Sequence, residues 1–387
     1  MVKDFEKKEI LELAKKIFES RKICLNCLGR QFAQVSTGLT NKKRGEILLN
    51  LLKTKEKSEK CEICNDLFKN LDFWAERAVK KLKNKDFKTF LVGTKLSPEL
   101  IKKEEELWED FGIEYCEPIK AEINRELGKL IEKKMKKKFD RENPDIVIIL
   151  NLKENEIEIE SNPLFIYGKY KKLVRGIPQT KWDMYKETIE DIIAKPIMKV
   201  TKGKSHSMHA SGREDIDARC LDWRPFVFEI EKPEKRNINL KEIQKEINKT
   251  KKIKVKDLRF CNKKEVREVK LLKPDKTYKV VVKFKNPVKN IEKVKEIIGE
   301  IKQKTPTRVL HRRADKLRKR KVKEIDWKKI NNKKFEFKIR GEAGLYIKEL
   351  ITGDGGRTKP SISEILNNQA EVESLDVIKI WVENEKE

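Results

Sequence analysis

Two groups of side chains in this sequence have the types and spacing that reactions or metal binding require. The first is the polar loop SGREDIDARCL, Ser211–Leu221, which sets three acids among arginines. A carboxylate held beside fixed cations stays ionised and can serve as a nucleophile or base. The same residues would also make an Asx turn tied by a surface salt bridge, and spacing alone leaves both readings open. The second group is four cysteines in two C-x-x-C pairs, Cys24 and Cys27 in CLNC and Cys61 and Cys64 in CEIC. Each pair brings two thiolates together from one tight turn, and the two turns together complete a tetrahedral structural zinc site. Paired disulfides or redox dithiols are the alternative. Four thiolates leave no open coordination position, so a catalytic zinc is not expected. Cys116, Cys220 and Cys261 stand alone and read as small buried hydrophobes. His206 and His209 precede the acidic loop; at that spacing they read as RNA contacts or loop structure rather than metal ligands.

Around these groups the periodicity defines the elements that must position them. Residues 4–20 form an amphipathic helix pattern, and the cysteine module runs to about residue 67. LDFWAERAVKKLK reads as a helix, TFLVGTKL as a strand and IKAEINRELGKLIEKKM as a helix. Asp145–Leu152 and Ile157–Glu160 read as a hairpin. From Tyr170 onward, Gly- and Pro-bearing stretches read as loops, among them KLVRGIPQTKW and the segment Gly203–Ile230 that contains the acidic loop. Beyond them come a helix at Asn239–Asn248, strands at Ile253–Arg259 and Lys276–Phe284, and a helix at Ile291–Lys302. A strand at Phe335–Arg340, a helix starting at Tyr346–Ile351 and a closing strand at Leu375–Glu383 complete the pattern. The whole is α+β with a mostly antiparallel sheet. Three domains are expected: a helical four-cysteine module (1–67), an α/β domain (68–172) and a larger domain (173–387).

Charge indicates the partner. Lys and Arg total 93 against 65 Asp and Glu, a net charge of +28. The abundance of both signs, with little His, is the composition of hyperthermophile surfaces. The positive excess favours a polyanion, most often nucleic acid. It is densest between Lys302 and Lys329, where His311, Arg312 and Arg313 lie in a nearly acid-free run. No apolar run reaches membrane-spanning length and no signal-peptide core is present, so a cytoplasmic location is expected.

GREDID followed by RPFVFEI resembles the active-site loop of pseudouridine synthases, whose pattern is Gly-Arg-x-Asp. The fuller set of motifs is similar to the archaeal and eukaryotic tRNA pseudouridine synthase family that acts on uridines 54 and 55 of the TΨC arm. The matching segments, in order, are CLNCLGRQF with GLTNKKRG, NPLFIYGKYKKLVRGIPQTKW, HASGREDIDARCL, TPTRVLHRRAD and GEAGLYIKELITGDGGRTKPS. They span about Cys24 to Ser361. The resemblance implies a THUMP-like RNA-binding second domain, a pseudouridine synthase catalytic domain, tRNA as partner and no organic cofactor. It places the nucleophile on Asp215, with Asp217 as a structural neighbour. It places the base-stacking tyrosine on Tyr278 and the basic partner of the aspartate on Lys348. Arg213, Tyr346, His311, Arg312 and Arg313 would contact the RNA. A monomer is expected.

Two other classes compete. A methyltransferase or thiolation enzyme with the same RNA-binding domain needs a cofactor-binding glycine-rich loop, and neither G-x-x-x-x-G-K-[ST] nor a strand-borne G-x-G-x-x-G is present. A non-catalytic RNA-binding protein has no use for Asp215 set beside Tyr278 and Lys348.

Overall fold

A computed structural model of the chain describes residues 2–56, 59–182 and 184–382, without the side chains of Val2 and Arg312. The chain forms two compact units, Met1–Asn162 and Pro163–Glu387.

The first unit contains α1 (Lys8–Ser20), α2 (Leu25–Arg30), α3 (Asn41–Leu51), α4 (Leu71–Leu82), β1 (Thr89–Lys95), α5 (Pro98–Phe111), α6 (Ile119–Met135), β2 (Lys138–Phe139), β3 (Ile146–Asn151) and β4 (Glu156–Ser161). Its sheet has the order β2-β1-β3-β4, with β3 and β4 forming the expected antiparallel hairpin and β1 parallel to both of its neighbours. Helix α5 was not anticipated, although its signals are in the sequence: Ser97 caps it by accepting from the Leu100 amide, and Pro98 opens its first turn. One apolar core runs from Phe5 and Ile17 past the four cysteines to Phe90, Leu107, Ile131 and Ile148. Helices α2 and α3 touch backbone to backbone. A Cβ on Gly29 would stand 1.8 Å from the Asn41 carbonyl oxygen, and one on Gly45 would stand 2.2 Å from that of Leu25. Those two glycines are what bring CLNCLGR and NKKRGE together.

The second unit contains β5 (Leu164–Lys172), α7 (Ile189–Thr201), β6 (Ser205–Ala210), β7 (Arg219–Glu231), α8 (Leu240–Asn248), β8 (Ile253–Cys261), α9 (Lys263–Leu271), β9 (Asp275–Phe284), β10 (Gly299–Gln303), β11 (Arg318–Asn331), β12 (Lys334–Gly341), α10 (Ile347–Thr352), β13 (Thr358–Lys359), α11 (Ile362–Ile365) and β14 (Ala370–Trp381). The sheet order is β13-β10-β11-β12-β9-β14-β7-β5-β8, with β6 paired to β7. All described pairs are antiparallel except a short β7–β14 contact, Asp376 opposite Arg219 and Val377 opposite Cys220.

Three segments differ from expectation. The segment 203–230, expected as loop, holds β6 and most of the long strand β7, paired to each other; there His209 meets Glu229 at 2.7 Å, and His206 stacks on Phe228. The helix expected at Ile291–Lys302 is a 3₁₀ turn over Ile291–Ile297 followed by β10. Gly299 separates the two at φ 129°, a left-handed-side conformation that no helix can continue through. The basic segment, which carried no element assignment, forms a 3₁₀ turn at Thr307–Arg312 and the long strand β11. Cys116 and Cys220 are buried as expected, whereas Cys261 is only half-buried.

Candidate active site

The acidic loop closes one end of a cleft of about 230 Å³ in the second unit. Asp215, Tyr278, Arg213, Arg313 and Tyr346, named from sequence, all line it, together with Arg308, Arg224 and Lys276. Strand β7 carries the loop, β9 supplies Tyr278, and the turn leading into α10 supplies Tyr346.

Asp215 is about one-third exposed, and its closest cation is Arg308. Both guanidinium Nη atoms lie 3.1 Å from the two carboxylate oxygens, a bidentate pair. The Nε of Arg308 donates to buried Glu349 at 2.7 Å, so the guanidinium is braced from both sides. Burial pulls the Arg308 pKa down, but Glu349 and Asp215 outweigh it, and the net shift is upward. Lys348, expected to partner Asp215, lies 3.7 Å from it; its main contact is Asp217, at 2.7 and 2.8 Å. Burial pushes Asp217 up, yet the Lys348 hydrogen bond leaves its pKa below the usual carboxylate value. Arg308 stands in TPTRVLHRRAD but is not among the residues singled out from that motif in the sequence.

Tyr278 is 9% exposed on the inner face of β9, and burial pushes its phenol up to about 12. The Tyr346 hydroxyl accepts from Arg313 at 2.9 Å. Arg213 and Arg313 are exposed. His311 is exposed on the 3₁₀ turn and is not among the residues lining the cleft. Arg312 lies on the same turn; its side chain is outside the described residues.

The loop backbone is pinned by side chains from KLVRGIPQT. Lys172, almost fully buried, donates to the carbonyls of Asp215 (3.2 Å) and Ile216 (2.8 Å). Arg175 donates to the Asp217 carbonyl at 2.7 Å, and Gln179 to that of Gly212 at 3.0 Å. Arg224 donates to Ser211. Its Nε lies 3.1 Å from Glu214, an ion pair without hydrogen-bond alignment. The Glu214 carboxylate is thereby held in the buried wall of the cleft, against Arg224 and Tyr170, while Asp215 is the more exposed of the two acids. Replacing Lys172 by Met removes one of the two donors on each of the Asp215 and Ile216 carbonyls, which keep only the Ala218 and Gly176 amides. It is expected to lower thermal stability by about 1–3 kcal/mol and to cost activity by misplacing Asp215. A calorimetric scan beside a turnover assay checks this, and unchanged stability would refute the bracing role.

In the first unit the Sγ atoms of Cys24, Cys27, Cys61 and Cys64 lie within 4.8 Å of one another, all four buried. The Cys24–Cys64 sulfur separation is 3.7 Å, and the Cys24 amide points at the Cys61 sulfur. Tetrahedral thiolates about 2.3 Å from an ion stand about 3.8 Å apart, so this set fits a four-sulfur metal site. Fully buried Arg30 lies 3.5 Å from the Cys27 sulfur and within 3.7 Å of Glu104 and Glu122. Four thiolates around a divalent ion would carry two net negative charges, and Arg30 would bring a counter-charge to them.

The second unit's sheet, with its guanidinium-held aspartate beside a buried strand tyrosine, is covered by one family model. Residues 165–381 match the model described as Pus10, C-terminal. That places the chain among the pseudouridine synthases, which are isomerases. Residues 74–151 match the archaeal Pus10 THUMP domain. The chain is 42% identical over 381 residues to tRNA pseudouridine synthase Pus10 of Pyrococcus furiosus, covering 96% of this chain and 98% of that protein. It is 38% identical to the protein of the same name from Methanothrix thermoacetophila, covering 96% and 94%. Among solved structures, a chain from a Cbf5-Nop10-Gar1 complex is 20% identical, with a TM-score of 0.34 over 55% of this chain and 48% of that one. The chain belongs to the Pus10 family. No helix among the described residues is long and apolar enough to cross a membrane.

Proposed function

We propose that this protein isomerises uridine 54, uridine 55 or both in the TΨC loop of tRNA, with Asp215 as the nucleophile. The observation that carries the reading is the cleft itself: one aspartate, gripped by Arg308, facing the same small space as Tyr278. The tRNA substrate follows the names of the two archaeal relatives, and the two positions follow the motif resemblance. The target base leaves its stack to enter such a cleft, and an aromatic side chain gives it a surface to lie on. Tyr278 takes that role. Arg308 holds Asp215 in a fixed orientation, and Lys348 holds the loop through Asp217. Arg213, Tyr346 and Arg313 at the cleft, with His311 and Arg312 of the 3₁₀ turn, meet the RNA, where phosphate contacts set affinity and its salt dependence. Residues 1–67 hold a structural zinc through the four cysteines, residues 68–172 include the THUMP-like RNA-binding part, and residues 173–387 carry out the reaction.

The test is chemical mapping of pseudouridine in an unmodified tRNA transcript incubated with the protein, alongside transcripts with cytidine at position 54 or 55. Pseudouridine at either position supports the reading. A transcript left unmodified at both, by folded protein that binds it, would end the assignment.

A further inference from the structure

We propose that Lys276 is a second catalytic residue of the cleft. Its ammonium, with the Arg224 guanidinium beside it, binds a carbonyl oxygen of the uracil that becomes anionic when the C1′–N1 bond breaks. This rests on reading the cleft as the site of uridine isomerisation.

Strand β9 alternates its side chains, so Lys276 and Tyr278 lie on the same face, about 7 Å apart along the strand. That face continues as Val280, Val282 and Phe284, all buried and apolar. Lys276 is therefore an ammonium at a core position, 8% exposed, and it lines the cleft with Asp215 and Tyr278. Among the described residues its Nζ makes one hydrogen bond, a long one of 3.3 Å to the Pro274 carbonyl, and no ion pair. The nearby Asp275 carboxylate is taken by Lys323 and Arg340. Arg224 comes close beside it. A Cβ on Gly212, had there been one, would stand 3.4 Å from Arg224 Nη1 and 3.9 Å from Lys276 Nζ. Two cations thus converge under the loop that carries Asp215. Arg224 has Glu214 as its counter-ion; Lys276 has none. Burial, with repulsion from Arg224, pulls the Lys276 ammonium down to about 8. Desolvating a cation without an anion is unfavourable, and a ligand that brings negative charge to this spot relieves it.

Isomerisation brings that charge. When the glycosidic bond breaks, its electron pair leaves with N1, and the uracil carries one negative charge shared by N1 and both carbonyl oxygens. The electron-poor C1′ is taken by the Asp215 carboxylate or relieved by loss of the C2′ proton. The uracil turns, and C5 donates a pair to form the C5–C1′ bond, as the C1′–Asp215 bond breaks on the first route or C2′ regains its proton on the second. C5 then gives up its proton and N1 gains one. Nothing is oxidised or reduced and no group is lost. On either route the detached base is an anion. The two cations in ion-pair contact with Asp215 are engaged: Arg308 by Asp215 and Glu349, Lys348 mainly by Asp217. A preset donor aimed at developing charge lowers the barrier most where water is excluded.

The test compares the full-length protein with its Lys276→Met and Lys276→Arg variants. Single-turnover pseudouridine formation on a tRNA transcript is measured from about pH 6 to about pH 10, with tRNA affinity at fixed salt. Lys276→Met is expected to slow the single-turnover step by roughly 10²–10³-fold while tRNA affinity stays within about 3-fold. Lys276→Arg is expected to recover a large part of the rate. The wild-type rate should fall on the alkaline side as Lys276, faced by Arg224, Cys220, Glu214 and Asp275, loses its proton. Because a guanidinium keeps its charge there, Lys276→Arg should lack that alkaline limb. A folded Lys276→Met variant within about 3-fold of wild type would overturn the proposal. If that variant does not fold, the arginine variant decides, and an alkaline limb identical to wild type would overturn it. Wild-type protein inactive on the transcript would instead bring down the reading of the cleft, and this proposal with it.

Discussion

Asp215→Ala is expected to abolish pseudouridine formation, by roughly 10⁴-fold or more, while tRNA binding changes little. Removing a nucleophile removes the step itself, because no neighbour can take its place. Glu214 is held in the buried wall of the cleft against Arg224 and Tyr170. Asp217 faces Lys348 at 2.7 Å and is held there. Binding is set by phosphate contacts from many basic side chains, so losing one carboxylate costs little affinity. It also frees Arg308, which then adds one positive charge to the cleft. Asp215→Asn keeps the shape and removes the charge, and it should be equally inactive. Asp217→Ala separates the two acids: it should reduce the rate through loop placement and leave it measurable. Pseudouridine content of the tRNA after long incubation, with a filter-binding curve for each variant, decides the matter. Full activity in Asp215→Ala would overturn the assignment of the nucleophile.

The sequence made some of this site legible and hid the rest, for identifiable reasons. Asp215 and Tyr278 stand inside short contiguous motifs, and such motifs survive as local geometry: a loop between paired strands, and an alternating strand with one inward face. Arg308 is 93 residues from Asp215, and its partner Glu349 is 41 further on, so nothing local marks it. Lys348 is a finer case. Its motif placed it near the aspartate correctly, but at 3.7 Å from Asp215 and 2.7 Å from Asp217 the choice between two acids two residues apart lies below what spacing can resolve. Lys172 and Gln179 sat in a segment that read as loop. Their roles depend on which carbonyls the fold brings to them, and the one-dimensional chain does not encode that separately. The missed β6 and β10 have a common cause. Both are short and polar, and they are strands only because a longer strand beside them supplies the hydrogen bonds.

Stripping metal from the four-cysteine site is expected to unfold the surroundings of α2 and α3 and to lower the stability of the first unit sharply. The protein as purified should carry about one zinc per chain. Cys24, Cys27, Cys61 and Cys64 are each 7% exposed or less, and they lie inside the unit's continuous apolar core. With zinc, four thiolates share a divalent charge, and Arg30 offsets part of the remaining negative charge. Without it, four sulfurs crowded within 4.8 Å either repel as thiolates or take up protons and lose their common centre. In short zinc peptides metal binding supplies roughly 10–16 kcal/mol of apparent folding energy. The helices α4–α6 and the sheet carry much of the core here, so the loss should be a fraction of that and should be centred on residues 20–65. Hydrogen exchange with and without a strong chelator reads this directly: protection should vanish over α2, α3 and the CEIC turn while β9 and β12 keep theirs. Cys61→Ser should reproduce the chelated pattern without any chelator. Metal-free protein with unchanged exchange across residues 20–65 would refute the structural role of the site.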